Sequence, residues 1–398
     1  MTRICVVLIF VLGMIIFACD SNDNSTDDDQ DDDSANDDQA TDDDSTADDD
    51  DTLWLPEYVD DGSRFGVYSG DHVRVLEGAG WEKIEHKLYY DACYAISLGL
   101  YVLWAHSYGV CDLIKNGELV SLNFDYNEFD TGELLPDPFI FFDENLGFVS
   151  HYKYDNGVWS DFGYDSYDPR APDDFVVVTE NGRCLAYYNG QNLNQIACND
   201  THPINDGLTD NLFIFDVPKY VQPDDIWVQL KRSFNDPIYF SHWNGLEWDQ
   251  IMVALDDMVG SGEDEYWWHI EWDFSSSDHG WALIEIEDYL YHYIYSKLWR
   301  YENGDWFLYD PGQPFTKPGS CVSDYCYRLS VVSDNEAWLI CAHNVFDNPN
   351  YLLNELLYFA QIIDGETCFW TARYQGHMDT PSDISIKLIP AAEQNGGR

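Results

Sequence analysis

The sequence predicts an all-β protein, and three observations carry this prediction. From Leu53 onward, aromatic and β-branched runs alternate with turns rich in Gly, Asn and Asp. Amphipathic helical periodicity is nearly absent, so the pattern favours strands over helices. A hairpin and the turn that precedes it recur along the chain. Because 45% of the residues are hydrophobic, these strands have enough apolar surface to form a core.

The first recurring element is a strand, an Asn-Gly turn and a second strand that opens on Trp. Its clearest copies are Leu298-Trp-Arg-Tyr-Glu-Asn-Gly-Asp-Trp306, His242-Trp-Asn-Gly-Leu-Glu-Trp248 and His151-Tyr-Lys-Tyr-Asp-Asn-Gly-Val-Trp159. Weaker copies lie at Asn116-Gly117, Asn189-Gly190, Asp364-Gly365, and Gly78 with Trp81. Asn-Gly suits the positive φ values of a tight hairpin turn, and the Trp is expected to pack across that hairpin.

The second recurring element is a polar turn that leads into an apolar strand. Its copies are Ser333-Asp-Asn-Glu-Ala-Trp-Leu-Ile340, Ser277-Asp-His-Gly-Trp-Ala-Leu-Ile284, Asp143-Glu-Asn-Leu-Gly-Phe-Val149 and Pro223-Asp-Asp-Ile-Trp-Val228. The spacing of the turn glycines fits four-stranded propeller blades of about 40–50 residues with loop insertions. Seven copies predict a seven-bladed β-propeller, with six or eight blades as alternatives. The segment Ile384-Ser-Ile386-Lys-Leu388 is expected to supply a missing strand and close the ring.

The repeats resemble bacterial propeller repeats of the neuraminidase-repeat and photosystem-assembly-factor kind. Those repeats carry a Ser-x-Asp…Gly-Trp-Ala strand followed by Asp-Gly…Trp, and Phe274 to Ile284 with Leu298 to Trp306 is the segment most similar to them. Ser276, Asp278 and Gly280 match the first half of an Asp-box, whose Thr-Trp ending is missing. The resemblance covers most of the chain in diluted form, and it implies a fold and not a ligand.

The first residues are predicted to be a targeting sequence. Residues 1–18 have the pattern of a signal peptide, with a basic start at Arg3 and an apolar run from Ile4 to Phe17 that is short for a membrane span. Ile16-Phe17-Ala18-Cys19 resembles a bacterial lipobox, which implies that Cys19 is lipidated and becomes the N-terminus. An ordinary signal peptide and a short anchor are the alternatives. We therefore expect a lipid-anchored protein of the bacterial cell envelope, periplasmic or surface-exposed.

Residues 19–52 are predicted to be a disordered tether behind Cys19. Asp20 to Asp51 contains 17 Asp and no Lys or Arg, so it cannot bury enough apolar surface to offset its ordering entropy. A spacer is the favoured interpretation, and a weak Ca²⁺-binding segment is the alternative. Residues 53–398 are then a single propeller domain. No other cofactor is predicted.

The charge of the chain restricts its partners. The whole chain has 74 acidic and 19 basic residues, a net charge of −55. Without Arg3 and the 17 Asp of the tether, 57 acidic and 18 basic residues remain, a net charge of −39. Such a domain is repelled by nucleic acid and by anionic membrane surfaces. We expect a monomer that contacts the membrane only through its lipid and has a protein or glycan partner.

The cysteines agree with an oxidising compartment. Cys5 lies in the predicted signal peptide, Cys19 is the predicted lipidation site, and an even number remains. The remaining cysteines are Cys93, Cys111, Cys184, Cys198, Cys321, Cys326, Cys341 and Cys368. Pairing in sequential order is the simplest prediction, because each pair then falls within one repeat, although other connectivities stay open.

Motifs for catalysis are missing from the sequence. There is no Gly-x-Ser-x-Gly, His-Glu-x-x-His, Walker or EF-hand pattern, and no catalytic residue is assigned. A sialidase-like enzyme would need clustered arginines, and those of this chain are scattered. The arginines in question are Arg64, Arg74, Arg170, Arg183, Arg232, Arg300, Arg328 and Arg373. The sequence favours a non-enzymatic binding module. A glycan-active hydrolase and a structural envelope-assembly factor are the alternatives.

Two sets of residues are candidate sites. His106, His151 and His343 each follow the apolar strand of a repeat, so they are a candidate Zn²⁺ or Cu²⁺ site; the alternative is strand-end histidines bonded to backbone. Trp267, Trp268 and Trp272 cluster among acids as a candidate glycan or peptide platform. Strand alternation would place Trp268 and Trp272 on the same side, and packing between blades is the alternative. The insertions Asn344–Asn354 and Glu287–Ser296 are further candidate contact loops.

Overall fold

A computed structural model describes residues 62–77, 80–84, 88–105, 108–124, 139–164, 167–179, 182–198, 213–214, 218–222, 224–231, 239–249, 253–255, 258, 265–288, 293–309, 322–348, 351–371, 373–374, 377–378 and 381–389. The predicted signal peptide, Cys19, the Asp-rich tether, His106 and Cys321 lie outside these residues. Among the residues described, no helix has the length and apolarity needed to cross a membrane.

Antiparallel strands make up almost all of the described chain. In chain order they are β1 (Arg64–Gly70), β2 (Val73–Glu77), β3 (Trp81–Ile84), β4 (Ala92–Ser97), β5 (Leu100–Ala105), β6 (Val110–Lys115), β7 (Glu118–Ser121), β8 (Phe139–Asp143), β9 (Leu146–Val149), β10 (Tyr152–Asp155), β11 (Val158–Asp161), β12 (Tyr167–Ala171), β13 (Asp174–Thr179), β14 (Cys184–Tyr188), β15 (Leu193–Cys198), β16 (Phe213–Ile214), β17 (Lys219–Gln222), β18 (Asp225–Lys231), β19 (Tyr239–Trp243), β20 (Val253–Ala254), β21 (Glu265–Ser276), β22 (His279–Asp288), β23 (Tyr293–Glu302), β24 (Asp305–Tyr309), β25 (Val322–Ser333), β26 (Glu336–Asn348), β27 (Tyr351–Ile363), β28 (Glu366–Thr371), β29 (Arg373–Tyr374), β30 (His377–Met378) and β31 (Pro381–Leu388).

These strands form the predicted seven-bladed β-propeller. Blade 1 has the strand order β31-β1-β2-β3, and blades 2, 3 and 4 follow as β4–β7, β8–β11 and β12–β15. In blade 5 the short strands β16 and β17 both pair with β18, and together they occupy the first position before β19 and β20. Blades 6 and 7 are β21–β24 and β25–β28, joined by one parallel pairing of Tyr295 with Asp324. The hairpin β29–β30 stands apart.

The C-terminal strand closes the ring, as the sequence predicts. β31 contains the segment Ile384 to Leu388 and pairs antiparallel with β1, where Val67 lies opposite Ser385 and Tyr68 opposite Ile384. It occupies the position that the first strand has in the other blades. A blade assembled from both parts of the chain removes the open edge of β1, which would otherwise expose unpaired backbone groups.

The hydrophobic core is divided among the boundaries between neighbouring blades. In the described part of the chain, seven clusters account for every boundary of the ring, including that between blades 7 and 1. The cluster between blades 5 and 6 joins Trp227 and Phe240 to Trp272 and Phe274. Each sheet is therefore covered on both faces. This explains why strands such as β5 are continuous apolar runs rather than alternating ones.

The Asn-Gly pairs form two kinds of turn. Asn116, Asn156, Asn303 and Asp364 have φ values of 50 to 52°, and each is followed by Gly with positive φ, which is the type I′ geometry that the sequence predicts. The turn at Asn244 is longer. There the side-chain amide oxygen accepts hydrogen bonds from the backbone amides two and three residues later, and the turn at Asn189 does the same.

The aromatic residues of the two repeat elements meet across blade boundaries. Trp227, on the second strand of blade 5, packs edge-on against Trp306, on the outer strand of blade 6, at 6.3 Å. Two further tryptophans reach back to the preceding blade: Trp159 Nε1 on β11 donates to Leu122 O, and Trp248 Nε1, in the segment after β19, donates to Cys198 O. The Trp that was expected to pack across its own hairpin thus also joins two blades.

Gly280, the glycine of the Asp-box-like segment, is required by a close approach. A Cβ atom at this position would lie 2.5 Å from the ring of Phe274 on the neighbouring strand. Ser276 of the same segment donates to Asp334 Oδ1 of blade 7 at 3.0 Å. These residues therefore form a turn, and the hydrogen bond of Ser276 connects blade 6 to blade 7.

The cysteine pairing follows strand register rather than sequence order. Cys184 and Cys198 are bonded, as predicted, and lie opposite each other on β14 and β15. Cys326 is bonded to Cys341, its direct partner across β25 and β26, with the Cα atoms 3.9 Å apart. The predicted pairs Cys321–Cys326 and Cys341–Cys368 are therefore wrong.

The predicted pair Cys93–Cys111 is also wrong, because the two side chains lie on opposite faces of blade 2. Cys93 pairs with Leu103 and Cys111 with the adjacent Trp104, and successive residues of a strand point to opposite faces. Cys93 consequently belongs to the core between blades 1 and 2, and Cys111 to the core between blades 2 and 3. Both are free and buried, whereas Cys368 is free and exposed.

We expect removal of the Cys326–Cys341 bond to lower the free energy of unfolding by about 2–3 kcal/mol, because the bond closes a loop of 15 residues. Urea unfolding of Cys326→Ala/Cys341→Ala is the measurement. Cys368→Ser, at an exposed free thiol, is the matched control and should leave the unfolding midpoint unchanged. Peptide mapping without reductant that finds Cys341 linked to Cys368 would contradict this pairing.

Candidate functional site

The first strand of each blade lies nearest the propeller axis. First strands of neighbouring blades contact one another, as β4 contacts both β31 and β8, and β25 contacts both β21 and β31. Each first strand is an edge of its own sheet, so one row of its backbone amides has no partner within the blade. Buried amides without acceptors are costly, so these edges need acceptors from elsewhere.

Polar side chains of one blade provide these acceptors to the next. Carboxylates and hydroxyls on one first strand accept hydrogen bonds from backbone amides at the first strand of the following blade. The pairs, acceptor side chain first, are Glu271 with Leu329 (2.5 Å), Ser330 with Ile386 (3.0 Å), Asp383 with Cys93 (2.7 Å), Ser385 with Ala95 (3.0 Å) and Asp168 with Tyr220 (2.7 Å). The polar residues of the inner wall thus link the blades around the axis.

Five ionisable residues from blades 6, 7 and 1 come together at this wall, and we call them the axial cluster: His269, Glu271, Glu285, Arg328 and Asp383. Arg328 Nη1 donates to Glu271 Oε1 at 3.0 Å, and His269 Nε2 lies 3.5 Å from the same oxygen. The cluster reaches solvent, since the side chains of His269, Glu271 and Arg328 are 39%, 22% and 16% exposed. Three carboxyl groups accompany one guanidinium and one imidazole.

The carboxyl groups of the axial cluster titrate differently because their surroundings differ. Burial pushes the pKa of Glu271 upward, but Arg328, His269 and the amide of Leu329 outweigh it and hold that pKa below its ordinary value. Burial raises the pKa of Glu285 to about 7 and that of Asp383 to about 6. Burial opposes the charge of His269, yet its neighbouring carboxylates raise its pKa.

A second ionisable group lies on blade 5. His242 Nδ1 is 2.6 Å from Asp249 Oδ2, and His242 Nε2 is 2.9 Å from Asp225 Oδ1. The imidazole stacks on the indole of Trp227 at 4.6 Å. Burial lowers the pKa of His242, but the hydrogen bonds to the two carboxylates raise it above its ordinary value overall. The protonated ring donates from both nitrogens and joins the start of β18 to the loop after β19.

The His242 contacts should contribute stability that depends on pH. Because the folded-state pKa is raised, the contribution is complete below the unfolded-state pKa of about 6.5 and is lost as pH rises through the folded-state value. We expect His242→Gln to lower the free energy of unfolding by about 1–2 kcal/mol near pH 6, because the charged ring's hydrogen bonds to two carboxylates are lost, and by less near pH 9. Urea unfolding of both proteins across this range is the measurement. A difference that grows with pH would contradict the assignment.

One of the three residues of the proposed tryptophan platform, Trp272, is a core residue. Trp272 is only 4% exposed and packs on Phe240, at 5.1 Å, in the core between blades 5 and 6. Trp272 therefore serves blade packing. A register shift between Trp267 and His269 breaks the alternation on which the same-side expectation for Trp268 rests. The side chains of Trp267 and Trp268 lie outside the described part of the structure, so their role stays a prediction.

The proposed histidine metal site is not assembled among the described residues. His151 lies in the turn between β9 and β10 of blade 3, and His343 lies on β26 of blade 7, so other blades separate them. Across the described ranges, no three His, Cys, Asp or Glu side chains come close enough together to hold a metal ion. His106 is outside those ranges, so a metal site that includes His106 stays a prediction.

The two insertions predicted as contact loops are mainly strand. Asn344–Asn354 extends β26 and β27 into a long hairpin that reaches Asn348 and Tyr351. Glu287–Ser296 likewise covers the end of β22 and the start of β23. Both hairpins join the second and third strands of their blades, so blades 6 and 7 are extended on the same face of the ring.

The arginines described do not form a sialidase-like cluster. Arg64 pairs with Glu336, at 2.5 Å, where blades 1 and 7 meet. Arg300 donates to Asn335 and lies over Trp281 at the boundary of blades 6 and 7. Of the arginines whose side chains are described, Arg328 is the one in the axial cluster. Among the side chains that the structure describes, a sugar carboxylate at the axial cluster would therefore meet one guanidinium, together with carboxylates that repel it.

Sequence reasoning missed the axial cluster and the His242 site. The available signal was weak: an isolated charge within an apolar strand, as in Ile270-Glu-Trp272. With 57 acidic residues outside the tether, this signal does not distinguish Glu271 or Glu285 from solvated acids. His242 lies within a quoted repeat, but its two aspartate partners are 17 residues before it and 7 after it.

The fold and this site define a class: a seven-bladed β-propeller with an acidic, partly solvent-accessible cluster at its axis. No protein-family model and no curated protein sequence matches the chain. Its fold is similar to solved structures with little sequence in common, so the similarity concerns the fold alone.

Three such structures illustrate the similarity. "YCF48 bound to D1 peptide" has a TM-score of 0.44 at 10% identity, covering 81% of this chain and 94% of that one. The S. cerevisiae Dbp5 assembly with Nup159 and Gle1 contains a chain with a TM-score of 0.36 at 14% identity, covering 85% and 93%. Apo AztD from Citrobacter koseri has a TM-score of 0.31 at 10% identity, covering 81% and 97%.

Proposed function

We propose that this protein is a cell-envelope lipoprotein, anchored through Cys19, whose propeller binds a basic segment of a partner protein without catalysis. One observation carries the proposal: Glu271, Glu285 and Asp383 lie around Arg328 at the propeller axis, so carboxyl groups outnumber bases there. Acidic clefts attract and orient cationic partners, and the net charge of −39 outside the tether acts in the same direction.

Two further features support a location in the cell envelope. Two cross-strand disulfides suit an oxidising compartment outside the cytoplasm. The lipobox-like Cys19 and the Asp-rich segment behind it suit an anchor and a spacer. Mass spectrometry of the mature N-terminus is the test. A diacylated Cys19 is the expected species, and a mature protein that retains an unmodified Met1 would contradict the proposal.

Binding can be tested with the purified full chain on arrays of defined basic, neutral and acidic peptides and of neutral and sialylated glycans. We expect the basic peptides to bind, with affinity that falls steeply as salt rises from about 0.05 to 0.5 M, since surface charges are screened over this range. Salt-insensitive glycan binding would contradict the proposal. Release of sugar from the array would instead favour the glycan-active hydrolase, and equal binding of acidic peptides would exclude charge as the basis of recognition.

A further inference from the structure

We propose that the outer edge of β24, in blade 6, is a second binding surface, which takes up an extended segment of a partner protein as a fifth strand. The segment carries two adjacent apolar residues and a lysine or arginine. This surface is separate from the axial cluster, which lies on the first and second strands of three blades. β24 pairs with β23 alone, so within the described part of the chain its other edge has no partner strand. A further strand can form on such an edge.

The turn before β24 determines which of its backbone groups face outward. The Asn303-Gly304 turn has type I′ geometry, so the two residues that flank it share a backbone hydrogen bond. Bonded and non-bonded pairs then alternate along the antiparallel ladder, whose register is unbroken through β24. Counting from the turn, Asp305 and Phe307 bond to β23, whereas the backbone groups of Trp306 and Leu308 point away from it.

The same edge exposes apolar side chains. Phe307 and Leu308 are adjacent, and they are 51% and 49% exposed. Phe307 lies opposite Arg300 and Leu308 opposite Trp299, so the two side chains stand on opposite faces of the sheet. β24 contains no Pro or Lys, and no bulge interrupts it, so it lacks the usual protection of an edge strand against pairing. An added strand would cover both side chains.

The charges at this edge favour a basic segment. Asp305 is exposed and lies directly opposite Glu302. Glu302 has Arg300 at 3.8 Å, whereas Asp305 has no ion pair or side-chain hydrogen bond within the described residues. Like charges in a cross-strand pair repel, so a cationic side chain beside Asp305 would relieve the repulsion. The corresponding acid of blade 2, Glu118, instead lies opposite Lys115, so charge complementarity favours β24 over the similarly apolar edge of β7.

The register sets the order of residues in the partner segment. In an antiparallel fifth strand, apolar residues lie opposite Leu308 and then Phe307, and a basic residue lies opposite Asp305 two positions later. The residue opposite Leu308 donates its amide to Leu308 O and accepts from Leu308 N. A second copy of this chain is disfavoured, because it would bring another Asp305, and another net charge of −39 outside the tether, to the same edge.

The probe is the N-acetylated peptide amide Thr-Val-Val-Thr-Lys-Thr, and titration calorimetry with the purified full chain measures its affinity. Its first Val is placed opposite Leu308 and its Lys opposite Asp305. N-methylation of the first Val removes the amide that bonds to Leu308, so binding should weaken by about tenfold or more. N-methylation of the second Val, whose amide points away from β24, is the matched control and should change the affinity by less than about twofold. Equal weakening by the two methyl groups would overturn the proposal.

Substitutions in β24 test the same edge from the side of the protein. Leu308→Pro removes an outward amide without removing a bond to β23, so it should weaken peptide binding by about tenfold or more. Leu308→Ala keeps the amide and should weaken binding by only about threefold. Leu119→Pro, at an outward amide of β7, is the matched control and should bind as the wild type does. Asp305→Lys should reverse the preference, so that the peptide with Glu in place of Lys binds more tightly.

The outcomes distinguish this inference from the proposed function. If neither Leu308→Pro nor N-methylation of the first Val weakens binding, or if the wild type does not bind the peptide, the edge is not the surface, and the proposed function at the axial cluster survives. A concentration-dependent dimer of the wild type in sedimentation velocity, dissociated by Leu308→Pro, would identify a second copy as the occupant and would also overturn the proposal. The N-methyl comparison uses the wild-type protein, so it holds even if Leu308→Pro fails to fold.

Discussion

Deleting residues 381–398 should abolish cooperative folding of the propeller. The deletion removes β31, which pairs with β1 and buries Ile384 and Ile386 between blades 7 and 1. Each buried Ile contributes about 2–5 kcal/mol, so their combined loss is comparable to the whole stability of a domain. The amides of Cys93 and Ala95 would also lose their acceptors on β31.

Thermal unfolding followed by circular dichroism is the measurement, and a chain that ends after Ile389 is the matched control. That control keeps β31 and the backbone hydrogen bond from Ile389 to Ser63, so its midpoint should match that of the full chain. A synthetic peptide of residues 381–389, added to the deleted chain, should restore part of the transition by strand complementation. A deleted chain that unfolds at the wild-type midpoint would show that the ring does not depend on this strand.

Glu271→Ala should lower the free energy of unfolding by about 2–3 kcal/mol, because it removes the charged acceptor of two hydrogen bonds from a partly buried ion pair. The substitution leaves Arg328 with 16% exposure and no carboxylate at 3.0 Å, and it leaves the Leu329 amide without an acceptor. Because the folded-state pKa of Glu271 is lowered, its contribution is present above the unfolded-state pKa and is lost as pH falls through the folded-state value.

A double-mutant cycle separates the ion pair from general damage. Arg328→Met removes the uncompensated charge, so the double variant should be less destabilised than the sum of the two single variants. Glu302→Ala, at an exposed acid, is the control and should change stability by about 0.5 kcal/mol or less. Urea unfolding near pH 7 is the measurement. Additive losses would mean that Glu271 acts through the Leu329 amide alone.

The sequence was most informative where structure is local. The Asn116, Asn156 and Asn303 turns have the positive φ values that Asn-Gly indicates, because turn geometry depends on a few consecutive residues. The closing segment from Ile384 to Leu388 was recognised from its alternation and from the incomplete first repeat. Repeat counting then gave the number of blades, since every blade carries its own turn signals.

Cysteine pairing shows where local reasoning stops. Sequential pairing holds for Cys184–Cys198, two neighbours on one hairpin, and fails for Cys326, whose partner is Cys341. The decisive quantity is strand register, because only residues directly opposite each other bring their sulfur atoms together. One-residue differences in register also place Cys93 and Cys111 on opposite faces of blade 2.

By itself, the sequence determined the all-β class, the seven repeats, the turns and the closing strand, because each depends on short-range patterns that many residues repeat. Only the tertiary structure decided the axial cluster: closure of the ring brings Glu271, Arg328 and Asp383, from three different blades, to one wall. It also decided that Trp272 is a core residue. The physical reason is that burial, register and partner geometry set the charge state and role of a side chain, and these depend on residues far apart in the chain.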